Sequence, residues 1–137
     1  MRKSNYKAVT FIELLIVMAI ISIMALIASS LFSPYVLRGR RIDAGNAMLS
    51  ISLAEERYRS NNSQYGTLAQ VWGGVSTSPE GYYTLTITNV SATGYTVTAV
   101  AQGNQANDSV SGTSCSTLTL GQSSGTITKT PSVCWPK

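Results

Sequence analysis

The sequence contains no histidine, and only 12% of its 137 residues are charged. Histidine is the commonest general base and the commonest metal ligand, so its absence removes many designs for an active site. No Cys/His metal set and no phosphate-binding glycine motif occurs, and the carboxylates are scattered along the chain. We therefore expect no enzymatic activity, no metal and no cofactor.

Basic residues are few once the N-terminus is set aside. Three of the ten, Arg2, Lys3 and Lys7, lie at the very start of the chain. The rest carries seven basic and six acidic side chains, and its C-terminal half offers only Lys129 and Lys137. A strongly basic binding surface is not indicated, so nucleic acid is not an expected partner.

An apolar run extends from Leu14 to Phe32 and is interrupted only by serines. As a helix it would be about 28 Å long, close to the thickness of the hydrocarbon core of a bilayer. A buried helix of a soluble protein is one alternative, but it would consume the core of so small a chain. A secretory signal peptide is another, but the helical pattern continues to about Asn61. A membrane-spanning helix is favoured.

The two cysteines, Cys115 and Cys134, lie well past the apolar run. If the run crosses a membrane with its basic flank in the cytoplasm, both cysteines reach the oxidising side. A disulfide between them is then expected, and two unpaired buried thiols are the alternative.

The segment Lys7 to Ile16, KAVTFIELLI, resembles the processing site of type IV prepilins. In that family a prepilin peptidase cuts four residues before a glutamate and methylates the new N-terminus. The resemblance implies cleavage between Ala8 and Val9, with Val9 N-methylated. Ala8 departs from the usual glycine before the cut, and Val9 from the usual bulky apolar residue after it.

Glu13 lies at the entrance of the apolar run, where an unpaired carboxylate is costly. No lysine or arginine occurs between Lys7 and Arg38. The resemblance implies that the partner of Glu13 is the amino terminus of another mature subunit, and that the pair guides assembly. A glutamate at the membrane surface with no partner is the alternative.

Beyond the membrane segment we expect Pro34 to kink or locally unwind the helix. Apolar residues then recur at spacings of three and four, which predicts an amphipathic helix that ends near Asn61. Basic residues cluster at Arg38, Arg40 and Arg41. They either contact lipid headgroups or acidic partners, or form a solvated helix face. The stretch from 35 to 65 also resembles the helix of minor pilins.

From Tyr82 the apolar period changes to two, which predicts strands. One pair extends from Tyr83 to Val100 with a turn at 89–94. A second pair, 117–120 and 125–129, is joined through 121–124. We expect an α+β fold in which a sheet of about four antiparallel strands lays one face on the helix. Residues 66–79 are expected to form a loop anchored by Val71 and Trp72.

The resemblance to type IV pilins covers nearly the whole chain and implies a structural subunit, more like a minor than a major pilin. It implies a leader at 1–8, a membrane and assembly helix at 9–33, an amphipathic helix at 34–63 and a β domain at 64–137. Its implied partners are other pilin subunits, prepilin peptidase, the pilus assembly machinery and, before assembly, the lipid of the inner membrane. Its implied roles are pilus assembly, motility, adhesion or DNA uptake.

Three alternatives share some of these features. A pseudopilin of a type II secretion system would have the same N-terminus. A DNA-receptor pilin would need a basic stripe on the β domain. A membrane-anchored periplasmic binding protein would need no prepilin processing.

Overall fold

The computed structural model of the protein describes residues 9–135, apart from the side chains of residues 29–31. The chain divides into two compact units, one up to Ser33 and one from Pro34 onward. In the first unit, Phe11–Ala28 is long and apolar enough to cross a membrane, and its side chains are exposed. The hydroxyl of Ser22 donates to the carbonyl of Met18 at 2.7 Å, which satisfies this polar group inside an apolar run.

The first helix, α1, is a single α-helix over Phe11–Asn61 with Pro34 in its interior. Of the two predicted effects of Pro34, local unwinding is wrong, because the residues on both sides of the proline remain α-helical, and a kink stays a prediction. Proline removes one backbone donor, and the neighbouring hydrogen bonds continue the helix past it. The end of α1 at Asn61 agrees with the prediction.

The second unit is built on the part of α1 that follows Pro34. Its apolar stripe is buried as the period predicts, with Ala44, Ala47, Met48 and Ile51 at most 1% exposed. These side chains form one core with the inner face of a β-sheet. This confirms the α+β fold with a helix laid on an antiparallel sheet.

The sheet has four antiparallel strands, which are β1, Tyr83–Thr88; β2, Gly94–Ala101; β5, Thr117–Ser123; and β6, Thr126–Thr130. Across the sheet they lie in the order β1-β2-β5-β6. A separate two-stranded hairpin pairs β3, Ser109–Val110, with β4, Thr113–Ser114. Short 3-10 helices cover Gly103–Asn107 and Ser132–Cys134. The predicted four-stranded sheet is confirmed.

The connection between β5 and β6 is shorter than predicted. β5 continues through Gly121 to Ser123, and the turn consists of Ser124 and Gly125 alone, both with positive φ. Two residues with positive φ form the tight turn that suits the twist of a hairpin. Gly121 belongs to the strand, where a Cβ atom would lie 2.9 Å from the hydroxyl of Thr128.

The segment predicted as a loop contains a short helix, α2, over Leu68–Trp72. Leu68 and Trp72 are half-buried against the core, and Val71 is also half-buried. The disulfide joins Cys115 to Cys134, whose Cα atoms are 5.6 Å apart, and both residues are fully buried. The expected disulfide is therefore present.

Candidate functional site

The predicted processing site begins outside the described residues, because Ala8 precedes them. Val9 is exposed, and Thr10 stands directly before α1. The Thr10 hydroxyl accepts a hydrogen bond from the backbone N–H of Glu13 at 3.3 Å, as in a helix N-cap. Glu13 lies in the first turn, where the helix dipole favours a negative charge. This local role was missed, although Thr-x-x-Glu is a recognised capping pattern.

Within residues 9–135 the Glu13 carboxylate has no ion-pair partner. Every side chain of the membrane segment around it is exposed. A carboxylate in this position is available to a cation on another molecule, while the Thr10 hydroxyl caps the start of the helix.

The three clustered arginines have three different surroundings. Arg38 is exposed, and Arg40 lies over the ring of Tyr82 with 4.6 Å to the ring centroid. Arg41 is only 6% exposed and forms a bidentate ion pair with Asp108. For Arg41 both predicted environments, a lipid or partner contact and a solvated face, are wrong. Its charge is used inside the domain.

Asp108 is the centre of a buried polar network. The remaining nitrogen of the Arg41 guanidinium, Nη1, donates to the backbone carbonyl of Cys134 at 3.1 Å. Gln105 donates to the backbone carbonyl of Leu37 at 2.9 Å and to the Tyr83 hydroxyl at 3.0 Å. The network connects α1, the sheet and the disulfide-bounded C-terminal region, so it holds together parts that are distant in sequence.

Two further carboxylates of the second unit are buried. Asp43 is 8% exposed and accepts from the backbone N–H of Glu80 at 3.2 Å. Glu55 is fully buried and accepts from the backbone N–H of Gly66 at 2.7 Å. Burial raises the pKa of Glu55, and the Gly66 hydrogen bond offsets only part of that increase. Burial also raises the pKa of Tyr95, whose hydroxyl contacts Ser52 at 2.7 Å.

The surface charge of the second unit therefore differs from its sequence charge. Of the five carboxylates in residues 34–135, only Glu56 and Glu80 reach the surface. Of the six basic side chains in the same range, only Arg41 is buried. Two surface carboxylates are therefore outnumbered by five surface cations, which are Arg38, Arg40, Arg57, Arg59 and Lys129. The exposed charge is clearly positive.

A polar cavity of about 210 Å³ lies at one end of the sheet. It is lined by uncharged hydrogen-bonding side chains, among them Asn89, Thr93 and Gln122. The Nε atom of Arg59 donates to the carbonyl of Ala92 in the same β1–β2 turn, at 3.2 Å. The cavity and the basic end of α1 are therefore joined in one surface, which we call the turn surface: Arg59, residues 89–93 and Gln122.

Gly94 holds the backbone of this surface close to the neighbouring strand. A Cβ atom at Gly94 would lie 2.2 Å from the carbonyl oxygen of Gln122. Only glycine permits that approach, so the turn at 89–93 is seated directly on β5. In residues 9–135 no group of three His, Cys, Asp or Glu side chains is placed to bind a metal.

Two protein families match the chain. The family described as type IV minor pilin ComP, DNA uptake sequence receptor, matches residues 30–119. The prokaryotic N-terminal methylation motif matches residues 3–29. Together they confirm the resemblance to type IV pilins and the anchoring of the apolar helix in the inner membrane before pilus assembly. A comparison with curated proteins gives no match. Since the first family covers well over half of the chain, the protein belongs to the family of type IV minor pilin ComP, DNA uptake sequence receptor.

Proposed function

We propose that this minor pilin binds DNA for the pilus, and that the turn surface is where it does so. The family description names a receptor for a DNA uptake sequence. The proposal departs from our expectation that nucleic acid is not a partner, which rested on the sum of charges in the sequence. The alternatives of a secretion pseudopilin and a periplasmic binding protein lose support, because the chain belongs to a family of minor pilins.

The positive surface charge of the second unit carries this proposal. A basic stripe requires cations that are not cancelled by nearby carboxylates, and three of five carboxylates are removed from the surface by burial. Phosphate neutralisation by surface arginine and lysine supplies most of the affinity of non-specific DNA binding. The five surface cations, three exposed and two half-buried, are sufficient for several phosphate contacts.

The turn surface combines charge with groups that suit base edges. The Arg59 side chain is half-buried, and its guanidinium is held at this surface by the carbonyls of Ala92 at 3.2 Å and Asn62 at 2.8 Å. Asn89 and Gln122 carry amides, and Thr93 carries a hydroxyl. Amide side chains can hydrogen-bond base edges, while arginines hold the phosphates. The arginines at 38 and 40, of which Arg40 is half-buried, lie about 30 Å away along the helix axis.

Arg59→Gln tests the proposal, with Arg38→Gln as its matched control. Full-length protein in an uncharged detergent would be titrated into a fluorescein-labelled DNA duplex and followed by anisotropy at several salt concentrations. We expect Arg59→Gln to weaken binding by about three- to tenfold and to lower the salt slope by about one. Arg38→Gln makes the same charge change outside the turn surface, and we expect it to change affinity by less than about twofold.

The opposite charge change gives an independent test. Glu56 lies three residues before Arg59 on the helix, so Glu56→Gln removes a neighbouring exposed carboxylate, and we expect tighter DNA binding. If Arg59→Gln has no effect, or Arg38→Gln weakens binding equally, the turn surface is not the interface.

The same subunit is proposed to enter the filament by prepilin processing. Cleavage between Ala8 and Val9 would leave Val9 as the N-methylated first residue, four places before Glu13. The match to the methylation motif at residues 3–29 supports this step. The exposed carboxylate of Glu13 is then free to pair with the amino terminus of a neighbouring subunit. Prepilin peptidase, other pilins and the assembly machinery are the corresponding partners.

A further inference from the structure

The two edges of the four-stranded sheet differ in how they are covered. At the β1 edge, the N–H of Ser78 donates to the carbonyl of Tyr83 at 2.9 Å, and the N–H of Leu85 donates to the carbonyl of Ser76 at 2.7 Å. The segment 76–78 therefore occupies the outward carbonyl of Tyr83 and the outward N–H of Leu85, at the start of β1. An uncovered edge strand is a template for another strand, and proteins usually block it.

The direction of the backbone groups on β6 follows from the alternation of hydrogen bonds along the sheet. Ala101, the last residue of β2, donates its N–H to the carbonyl of Ser116 at 2.7 Å. Bonding residues alternate along an antiparallel pair, so even-numbered residues of β5 bond to β2. Odd-numbered residues of β5 therefore bond to β6.

The register between β5 and β6 then shows which backbone groups of β6 point away from the sheet. Gly121 lies opposite Thr128, so the even-numbered residues of β6 use their backbone groups within the sheet. The N–H and C=O groups of Ile127 and Lys129 consequently point away from β5. Within residues 9–135 no backbone group bonds to them. All five side chains of β6 are exposed, and Ile127 is 54% exposed.

The side chains of Ile127 and Lys129 point to one face of this open edge, since they are two residues apart on a strand. Lys129 lies over the Trp135 ring, 5.0 Å from its centroid, which places its ammonium beside the edge. No carboxylate lies within ion-pair distance of Lys129 among the described residues. The edge thus offers four backbone groups, one apolar contact and one unpaired cation.

We propose that β6 is a docking edge for an extended segment of another protein, which adds antiparallel to β6 as a fifth strand. Its backbone would exchange hydrogen bonds with Ile127 and Lys129. A carboxylate would lie opposite Lys129, and an apolar side chain opposite Ile127, two residues later in the segment. The recognised pattern is therefore acidic-x-apolar in an extended conformation.

A second copy of β6 fits this edge less well. Thr126–Thr130 contains no acidic residue, so no pairing of two β6 strands gives Lys129 a carboxylate. Pairing in which the two lysines face each other is repulsive. The charge of Lys129 therefore selects a different segment over self-association.

A synthetic peptide of sequence Ser-Thr-Ser-Asp-Thr-Val-Thr-Ser-Thr, labelled with fluorescein, is the probe. Its binding to the full-length protein in uncharged detergent would be followed by anisotropy. Ile127→Pro removes an outward N–H that β5 does not use, and proline is tolerated at such edge positions. We expect Ile127→Pro to weaken binding at least about tenfold. Ile127→Thr keeps the N–H, and we expect only about a threefold loss.

Reversing the charge of Lys129 is a second test, and it remains informative even if Ile127→Pro folds poorly. Lys129→Glu should weaken binding of the Asp peptide at least about tenfold, and a peptide with Lys in place of Asp should restore it. Absence of peptide binding, or binding that is indifferent to both substitutions, overturns the proposal. It is equally overturned if sedimentation shows a dimer of the protein that Ile127→Pro dissociates, because the occupant is then a second copy.

Discussion

The guanidinium of Arg41 and the carboxylate of Asp108 form a bidentate ion pair inside the second unit, although 67 positions separate the two residues. Nε lies 2.6 Å from one carboxylate oxygen, and Nη2 lies 2.7 Å from the other. Both side chains are almost fully buried. The pair fixes the start of the packed part of α1 to the segment that precedes β3, so it couples the helix to the disulfide-bounded region.

Removing one partner of this ion pair should be strongly destabilising. Asp108→Ala leaves the Arg41 guanidinium buried without a carboxylate, and we expect the free energy of unfolding to fall by about 3–5 kcal/mol. Denaturant unfolding of the full-length protein in detergent, followed by tryptophan fluorescence, measures the change. Arg38→Ala is the control, because that arginine is exposed, and it should change stability by less than about 0.5 kcal/mol.

The double variant Arg41→Met/Asp108→Leu separates burial from pairing. It removes both charges and leaves apolar groups of similar size, so we expect it to be more stable than Asp108→Ala. A double variant as unstable as Asp108→Ala would contradict the view that the unpaired charge causes the loss.

Glu55 should make stability depend on pH. Its ordinary pKa is 4.5, and burial raises the pKa in the folded state. The folded protein therefore holds this proton at pH values where the unfolded chain has released it. The contribution of Glu55 to stability is fully present below about pH 4.5 and decreases as the pH rises through the folded-state pKa.

Glu55→Gln tests this pH dependence. The amide oxygen can still accept from Gly66, but the side chain no longer ionises. We expect a flatter dependence of the unfolding free energy on pH, and greater stability than the parent protein at neutral pH. Glu56→Gln is the matched control, since Glu56 is exposed. An unchanged pH profile in Glu55→Gln would show that this carboxyl is not the titrating group.

The disulfide should contribute measurably to a domain of this size. Replacing both Cys115 and Cys134 with serine opens a loop with a sequence separation of 19. We expect a loss of about 3 kcal/mol in the free energy of unfolding. Dithiothreitol should reduce the stability of the parent protein by a similar amount and leave the double variant unchanged. Equal stability of the parent with and without reductant would refute this contribution.

Glu13→Gln separates helix capping from subunit pairing. Glutamine suits the same position of a capping pattern but carries no charge. We expect leader cleavage to continue while the amount of this subunit in sheared pili falls several-fold, measured by immunoblotting of pili and membranes. Normal incorporation of Glu13→Gln would show that the charge is not used in assembly.

Much of this fold could be predicted from periodicity. Alternation placed the inner residues of β1 and β2 correctly, and the three-to-four spacing placed the helix stripe at Ala44, Ala47 and Ile51. Both patterns are local, so the position of a residue within its pattern is enough to predict whether its side chain is buried. The turn at Ser124 and Gly125 was misplaced because Gly121 lies within a strand, where local propensity does not expect glycine.

The charged residues could not be placed in this way. Arg41 looks like its exposed neighbours in sequence, and its burial depends on Asp108, which no local pattern pairs with it. Asp43 and Glu55 count fully in the summed sequence charge, although both are buried. Summed sequence charge therefore underestimated the positive surface, and with it the case for a DNA partner. Long-range pairing needs the tertiary fold.

The central claim is that this chain is a processed minor pilin. Intact-mass and N-terminal analysis of the protein from sheared pili of its own host tests it most directly. If the chain is processed as a pilin, the mature chain begins at N-methylated Val9. A chain that retains Met1, or that begins near Leu31 as after signal-peptide removal, would contradict it.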